Sequence, residues 1–119
     1  MAGIVGTWRP LGITGWAKPP TADDMGFAEA VISFRADGTW LGSDGCNGLG
    51  GKYRLESTGT FSMPGPVSST LIGCVNVPNL DVLLKATHVV VVGKALVFQA
   101  ADGAVLGVYA RTSRPKPTR

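Results

Sequence analysis

Apolar and polar positions alternate in short runs along most of this chain, and glycine-containing turns separate the runs. Gly6-Thr-Trp-Arg-Pro-Leu-Gly-Ile13 reads as a first strand. Pro10 cannot donate to a ladder, so that strand either lies at a sheet edge or carries a bulge. Val31-Ile-Ser-Phe-Arg35 mixes β-branched and aromatic residues and reads as a second strand. Asp37-Gly38 follows and predicts a hairpin, because glycine takes a positive φ without steric cost. The alternation resumes in Thr39-Trp-Leu-Gly-Ser43, with Thr39 and Leu41 on one face and Trp40 on the other. Asp44-Gly-Cys-Asn-Gly48 then breaks the pattern. Turn-forming residues crowd around one cysteine, which calls for a sharp corner or a bulge. Gly50-Gly51 leads into Lys52-Tyr-Arg-Leu-Glu56 as a fourth strand, and Thr60-Phe-Ser-Met63 is a fifth, ended by Pro64-Gly-Pro66.

Beyond residue 70 the period changes once. Pro78 suits the start of a helix, and Asn79-Leu-Asp-Val-Leu-Leu-Lys-Ala-Thr87 places Leu80, Leu83, Leu84 and Thr87 on one face at three- and four-residue spacing. His88-Val-Val-Val-Val92 reads as a buried strand by composition. Gly93-Lys94 turns it into Ala95-Leu-Val-Phe-Gln99, and a second Ala-Asp-Gly at 101–103 turns that into Ala104-Val-Leu-Gly-Val-Tyr-Ala110. The pattern predicts a mainly β protein: about eight short antiparallel strands closing into a small barrel, with one short helix inserted between the fifth and sixth.

Composition fits this reading. The chain has 119 residues, of which 45% are apolar, enough for one domain with a real core. Its 17 glycines and 8 prolines suit a turn-rich β protein. The net charge of +3 resides in the last nine residues, where Arg111, Arg114, Lys116 and Arg119 leave a nearly neutral body behind. Residues 1–111 are therefore read as the domain and 112–119 as a flexible, basic, proline-rich tail. Four charges over so short a tail make a solvated terminus, and no nucleic-acid partner is expected. No apolar run approaches the length of a transmembrane helix, and Met1-Ala-Gly-Ile-Val5 lacks the basic start of a signal peptide. As printed the chain reads as cytoplasmic, or as secreted or envelope-bound if a leader has been removed.

A resemblance joins these features. Phe34, Asp37-Gly38, Gly42, Gly45-Cys46-Asn47, Gly51 and Tyr53 resemble the signature of the META domain, the family of HslJ-like heat-shock proteins. Thr70-Leu-Ile-Gly-Cys74 resembles the family's second block, Gly6-Thr7-Trp8 its first strand, and Leu83-Leu84 with the valine run its closing helix and strands. The likeness runs from about residue 4 to about residue 111. It implies a small β-barrel with a helix across one end and a loose association with stress or the cell envelope. The segment Val-Asn-Val-Pro-Asn after Cys74 and the long loop at 14–26 depart from the family pattern.

Few residues can carry chemistry. Cys46 and Cys74 are the two cysteines. A disulfide between them would close a loop of about 28 residues and stabilise by roughly 3.5 kcal/mol in the chain-entropy model; in a reducing compartment both are buried thiols. Two cysteines and the lone His88 lack a fourth zinc ligand at a recognisable spacing, so no metal and no cofactor are expected. No motif makes His88 or Cys46 catalytic. Asp37, Asp44 and Asp102 sit where turns are needed, Asp23-Asp24 sit in a loop, and Asn47 suits locking the corner after Cys46. Trp8, Trp16, Trp40 and Tyr53 are the candidate ligand-facing residues, with Trp16 alternatively a plug over the core. The sequence thus points to a monomeric, non-catalytic binding or structural module for an unidentified protein or small molecule. The alternative is a lipocalin-like carrier of an apolar ligand, which requires an open interior; Trp40, Phe34 and Phe98 facing inward would fill it.

Overall fold

The computed structural model describes residues 2–16, 30–45, 47–70 and 77–112. A 3-10 turn, Ala2–Ile4, precedes β1 (Gly6–Ile13). Then come β2 (Ile32–Phe34), β3 (Thr39–Ser43), β4 (Gly48–Lys52), β5 (Arg54–Leu55), β6 (Phe61–Ser62) and β7 (Ser68–Ser69). The helix α1 (Asn79–Lys85) is followed by β8 (His88–Val92), β9 (Ala95–Gln99) and β10 (Val105–Arg111). Eight strands form one antiparallel sheet in the order β7-β4-β3-β2-β1-β10-β9-β8, and β5 pairs with β6. The protein is therefore mainly β with one short helix.

The turns repeat a single device. Arg35 N donates to Thr39 O at 2.9 Å and Gly38 N to Arg35 O at 3.2 Å; Glu56, Gly59 and Thr60 repeat the pair of bonds, as do Ala100, Gly103 and Ala104. The third loop residue is in each case a glycine at positive φ: Gly38 at 88°, Gly59 at 92° and Gly103 at 87°. This is the three-residue hairpin in which a left-handed residue closes a bulge. Pro10 sits in the middle of the sheet, not at its edge. The β1–β10 register shifts between Pro10 and Gly12, so a bulge absorbs the missing donor.

Four elements differ from the sequence expectation. The valine strand β8, expected to be buried, keeps Val89 inside and leaves Val90, Val91 and Val92 exposed, because it stands at the end of the sheet order. The short strand β7 has no counterpart in that expectation. The other two are β4 and the helix. The fourth strand is Gly48–Lys52, so the glycine pair lies inside a strand where a lead-in was expected. A Cβ at Gly50 would lie 3.3 Å from Leu41 Cδ2, and one at Gly51 3.0 Å from Trp40 Nε1. The glycines are there because large side chains of β3 lie across them. The helix also turns a different face inward. Asn79, Val82 and Leu83 are buried, whereas Leu84 is exposed. A leucine stripe misleads when a polar residue, Asn79, heads the buried face.

The core is a cluster of aromatic rings. Phe34 meets Tyr53 edge-on at 4.9 Å between centroids, Phe61 meets Phe98 at 5.6 Å, and Phe98 meets Tyr109 at 5.4 Å. Beside them, α1 is pinned by its first residue. The fully buried Asn79 donates through Nδ2 to Ala30 O at 3.0 Å and Ser43 O at 2.9 Å, and its Oδ1 accepts from the Tyr109 hydroxyl at 2.7 Å. Burial pushes the Tyr109 phenol far above its usual range.

The ladder order leaves β7 and β8 at its two ends. The β5–β6 hairpin continues from the end of β4 and reaches β8. Thr60 bridges to His88, Phe61 N donates to Thr87 O at 2.8 Å, and Val89 N donates to Gly59 O at 2.9 Å.

Replacing Asn79 with Ala would strand two backbone carbonyls and a phenol in the core, each worth about 1–3 kcal/mol when unpaired. Urea unfolding of Asn79→Ala is expected to show a loss of roughly 3 kcal/mol or more. Asn79→Asp is expected to lose a comparable amount, because a carboxylate cannot donate to the two carbonyls.

Candidate functional site

The corner singled out from the sequence is a closed polar knot. Asp44 Oδ1 accepts from Asn47 N at 2.5 Å and Asp44 Oδ2 from Asn47 Nδ2 at 3.3 Å. Thr70 Oγ1 accepts from Gly48 N at 3.0 Å and donates to Asn47 Oδ1 at 3.1 Å, while Thr70 N donates to Gly48 O. Val77 N donates to Asp44 O at 2.7 Å. Gly45 holds the turn at a φ of 91°. The Asn47 side chain bonds to the side chains of Asp44 and Thr70 across this corner. Cys46 and Cys74 lie outside the described residues, as do Asp23, Asp24 and residues 113–119.

The remaining motif residues are architectural too. Asp37 and Asp102 cap their hairpins, accepting from Thr39 N and Ala104 N at 3.0 and 2.9 Å. Phe34 and Tyr53 form an edge-on aromatic pair in the core. Gly51 makes room for Trp40.

Of the four candidate ligand-facing residues, the structure places Trp8 and Trp40 in the core. Trp8 Nε1 donates to Ile4 O at 2.9 Å, and the Arg111 guanidinium covers its ring at 4.3 Å from the centroid. Arg111 also donates to Val5 O and Gly3 O at 2.8 and 3.0 Å, strapping the first residues to the last strand. Trp16 is half-buried and packs against the core. Phe34, Phe98 and Trp40 are all buried in the core cluster.

Tyr53 borders an open concavity among the described residues. A groove of about 330 Å³ runs between Asp37–Thr39, Lys52–Arg54 and Pro64. It lies where the β2–β3 hairpin, the β4–β5 junction and the turn after β6 come together. Tyr53 donates its hydroxyl to Arg35 O at 2.6 Å, and burial, with the Asp37 charge nearby, raises its pKa. Asp37 Oδ1 accepts from the Thr39 hydroxyl at 2.6 Å as well as from its amide. These bonds, the hydroxyl first, with Arg35 adding to them, hold the Asp37 pKa below its usual value. Sequence reasoning missed Lys52, Arg54 and Pro64, because nothing in the local pattern shows that a hairpin tip and a proline turn will meet.

His88 is exposed, and its Nδ1 lies 3.2 Å from the Thr87 hydroxyl. Among the described residues no three of His, Cys, Asp and Glu come together as a metal cluster would require, and no helix is long and apolar enough to cross a membrane.

With the geometry established, comparison places the chain among known proteins. The family model for the META domain matches residues 5–113. A DUF4847 family protein from Bacteroides vulgatus ATCC 8482 has a similar structure, with a TM-score of 0.60 and 17% identity over 94% of this chain and 96% of that one. A protein from Burkholderia xenovorans solved by NMR is similar too, with a TM-score of 0.60 and 18% identity over 93% of this chain and 81% of the other. At these identities the likeness is one of fold. No curated protein sequence matches the chain.

The lowered Asp37 pKa has a measurable consequence. A carboxyl whose folded pKa lies below its unfolded one adds stability above the unfolded value, near 4, and loses it as pH falls through the folded value. Thermal melts between about pH 5 and pH 2 are expected to fall less steeply for Asp37→Asn than for the parent chain.

Proposed function

The chain belongs to the META domain family, and from that membership we propose a non-catalytic binding module, associated with stress or the cell envelope, that recognises an extended segment of another protein at a free strand edge. The observation that carries this reading is β8. It stands at one end of the sheet order, and Val90, Val91 and Val92 are 41%, 48% and 60% exposed. The register with β9 and the two-residue turn at Gly93-Lys94 direct the backbone groups of Val90 and Val92 to β9. Val89 N is taken by Gly59, which leaves the Val91 amide facing outward. Among the described residues no charged side chain or proline lies within Val89–Val92, and such an apolar edge favours strand addition, in which main-chain hydrogen bonds give affinity and alternate side chains give selectivity.

Two finer features accompany the reading. The β5–β6 hairpin, paired within itself and bridged to β8 at His88 and Val89, supports a partly closed barrel that leaves Val90–Val92 at the opening. A Cys46–Cys74 disulfide would clamp the corner. It is supported by the bonds that join the residues flanking the two cysteines, Asp44 to Val77 and Asn47 to Thr70. Intact mass measured after purification without reductant is expected to be two hydrogen atoms below the reduced chain, the electrons passing to oxygen or another oxidant, and the fully reduced mass under oxidising conditions would refute the link.

For β8, hydrogen exchange with and without an acetylated Thr-Val-Thr-Val-Thr peptide is the direct measurement. Protection is expected at the Val91 amide. Val92→Lys, which places a charge on the edge, is expected to weaken binding about tenfold, and an unprotected Val91 amide at saturating peptide would refute the proposal.

A further inference from the structure

The β3–β4 register sets Thr39 opposite Lys52 and, one row further along, Trp40 opposite Gly51. The first row lines the groove. In the second, the indole of Trp40 lies over Gly51, with Nε1 3.0 Å from where a Cβ would be. Trp40 is 1% exposed, and its Nε1–H has no hydrogen-bond partner among the described residues. Comparable groups nearby are answered: the Trp8 indole by Ile4 O, the Tyr53 hydroxyl by Arg35 O, the Tyr109 hydroxyl by Asn79. Unpaired buried donors are rare in folded proteins and call for a specific cause. The Pro66 carbonyl lies 3.5 Å from the same Cβ position, yet it makes no bond to the indole. It belongs to the exposed turn Pro64-Gly65-Pro66, whose first residue is a wall of the groove.

We propose that the groove and the Trp40 row behind it form one binding site for a small organic carboxylate, whose oxygen accepts from Trp40 Nε1 beneath the Pro64–Pro66 turn. Lys52 and Arg54 flank the entrance with two positive charges. The one carboxylate there, Asp37, already receives two hydrogen bonds from Thr39, so the entrance favours an anion. One indole N–H with two exposed cations suits a planar carboxylate; a phosphoryl group, with three acceptor oxygens, would need more donors than these. A volume of about 330 Å³ lies at the lower end of small-molecule sites. Tyr53 and Pro64 supply an apolar wall for the body of the ligand. Reaching the N–H requires the Pro64–Pro66 turn to move outward; its three residues are exposed, and Met63 and Val67 on either side, packed against the core, are the points about which it would hinge. This site is separate from the β8 edge, and the two proposals stand or fall independently.

The test is a titration of the isotope-labelled protein with sodium hexanoate, followed by proton–nitrogen correlation spectra, with hexanol as the neutral control. The Trp40 indole signal is expected to move saturably with hexanoate, together with the Thr39 and Lys52 amides, and to stay in place with hexanol. Trp40→Phe keeps a ring over Gly51 but removes the donor. Lys52→Gln changes an exposed side chain and leaves the core intact. Each is expected to weaken binding, read at the Thr39 amide, about tenfold or more, the scale of a hydrogen bond or ion pair to a charged ligand group. An indole signal unmoved by hexanoate, an equal response to hexanol, or unchanged affinity in either variant would overturn the proposal.

Discussion

One buried amide organises this fold. Asn79 begins the helix, and its side chain satisfies carbonyls from Ala30, just before β2, and Ser43, the last residue of β3, while accepting from Tyr109 on β10. A seven-residue helix has too few turns to stand alone in water, and this one lacks a side-chain cap at its start. Tertiary attachment supplies what local propensity does not. Because both donors and the acceptor of the amide are used, a shifted helix would leave several polar groups buried without partners. Apolar packing of Val82 and Leu83 favours burial in general; the amide selects one register.

Strand-by-strand architecture was largely legible, because hairpin chemistry is local. An Asp-Gly pair between β-rich runs carries its own geometry, and β1, β3, β8 and β9 appear with the bounds their patterns suggest. What escaped was set at a distance. Gly50 and Gly51 read as a turn because glycine is a turn former, but Leu41 and Trp40 across the ladder make them a strand. Leu84 matched the apolar stripe of the helix and is exposed, because the inward face is headed by a polar residue whose partners lie 30 or more positions away in sequence. Ser68–Ser69 is polar on both faces and pairs only at the sheet edge, so no periodicity announced it.

The same division explains why the family signature says more about shape than about chemistry. Phe34, Asp37, Gly38, Gly45, Asn47, Gly51, Tyr53 and Thr70 are accounted for by ring packing, turn capping and the polar corner. Asp37, Gly38 and Tyr53 among them also line the groove. The two surfaces proposed for recognition, the valine edge and the groove beside Lys52 and Arg54, owe more to residues outside the signature. Members of one fold can in this way carry different surfaces on the same frame.

The Arg111 strap sets the molecule's wiring. Its guanidinium binds the Gly3 and Val5 carbonyls, Trp8 pairs with Arg111 in the ladder, and Thr112 N donates to Thr7 O. The polypeptide therefore enters and leaves the folded body at neighbouring points on one side. A unit with adjoining entry and exit can be spliced into a surface loop of a larger host without stretching either connection.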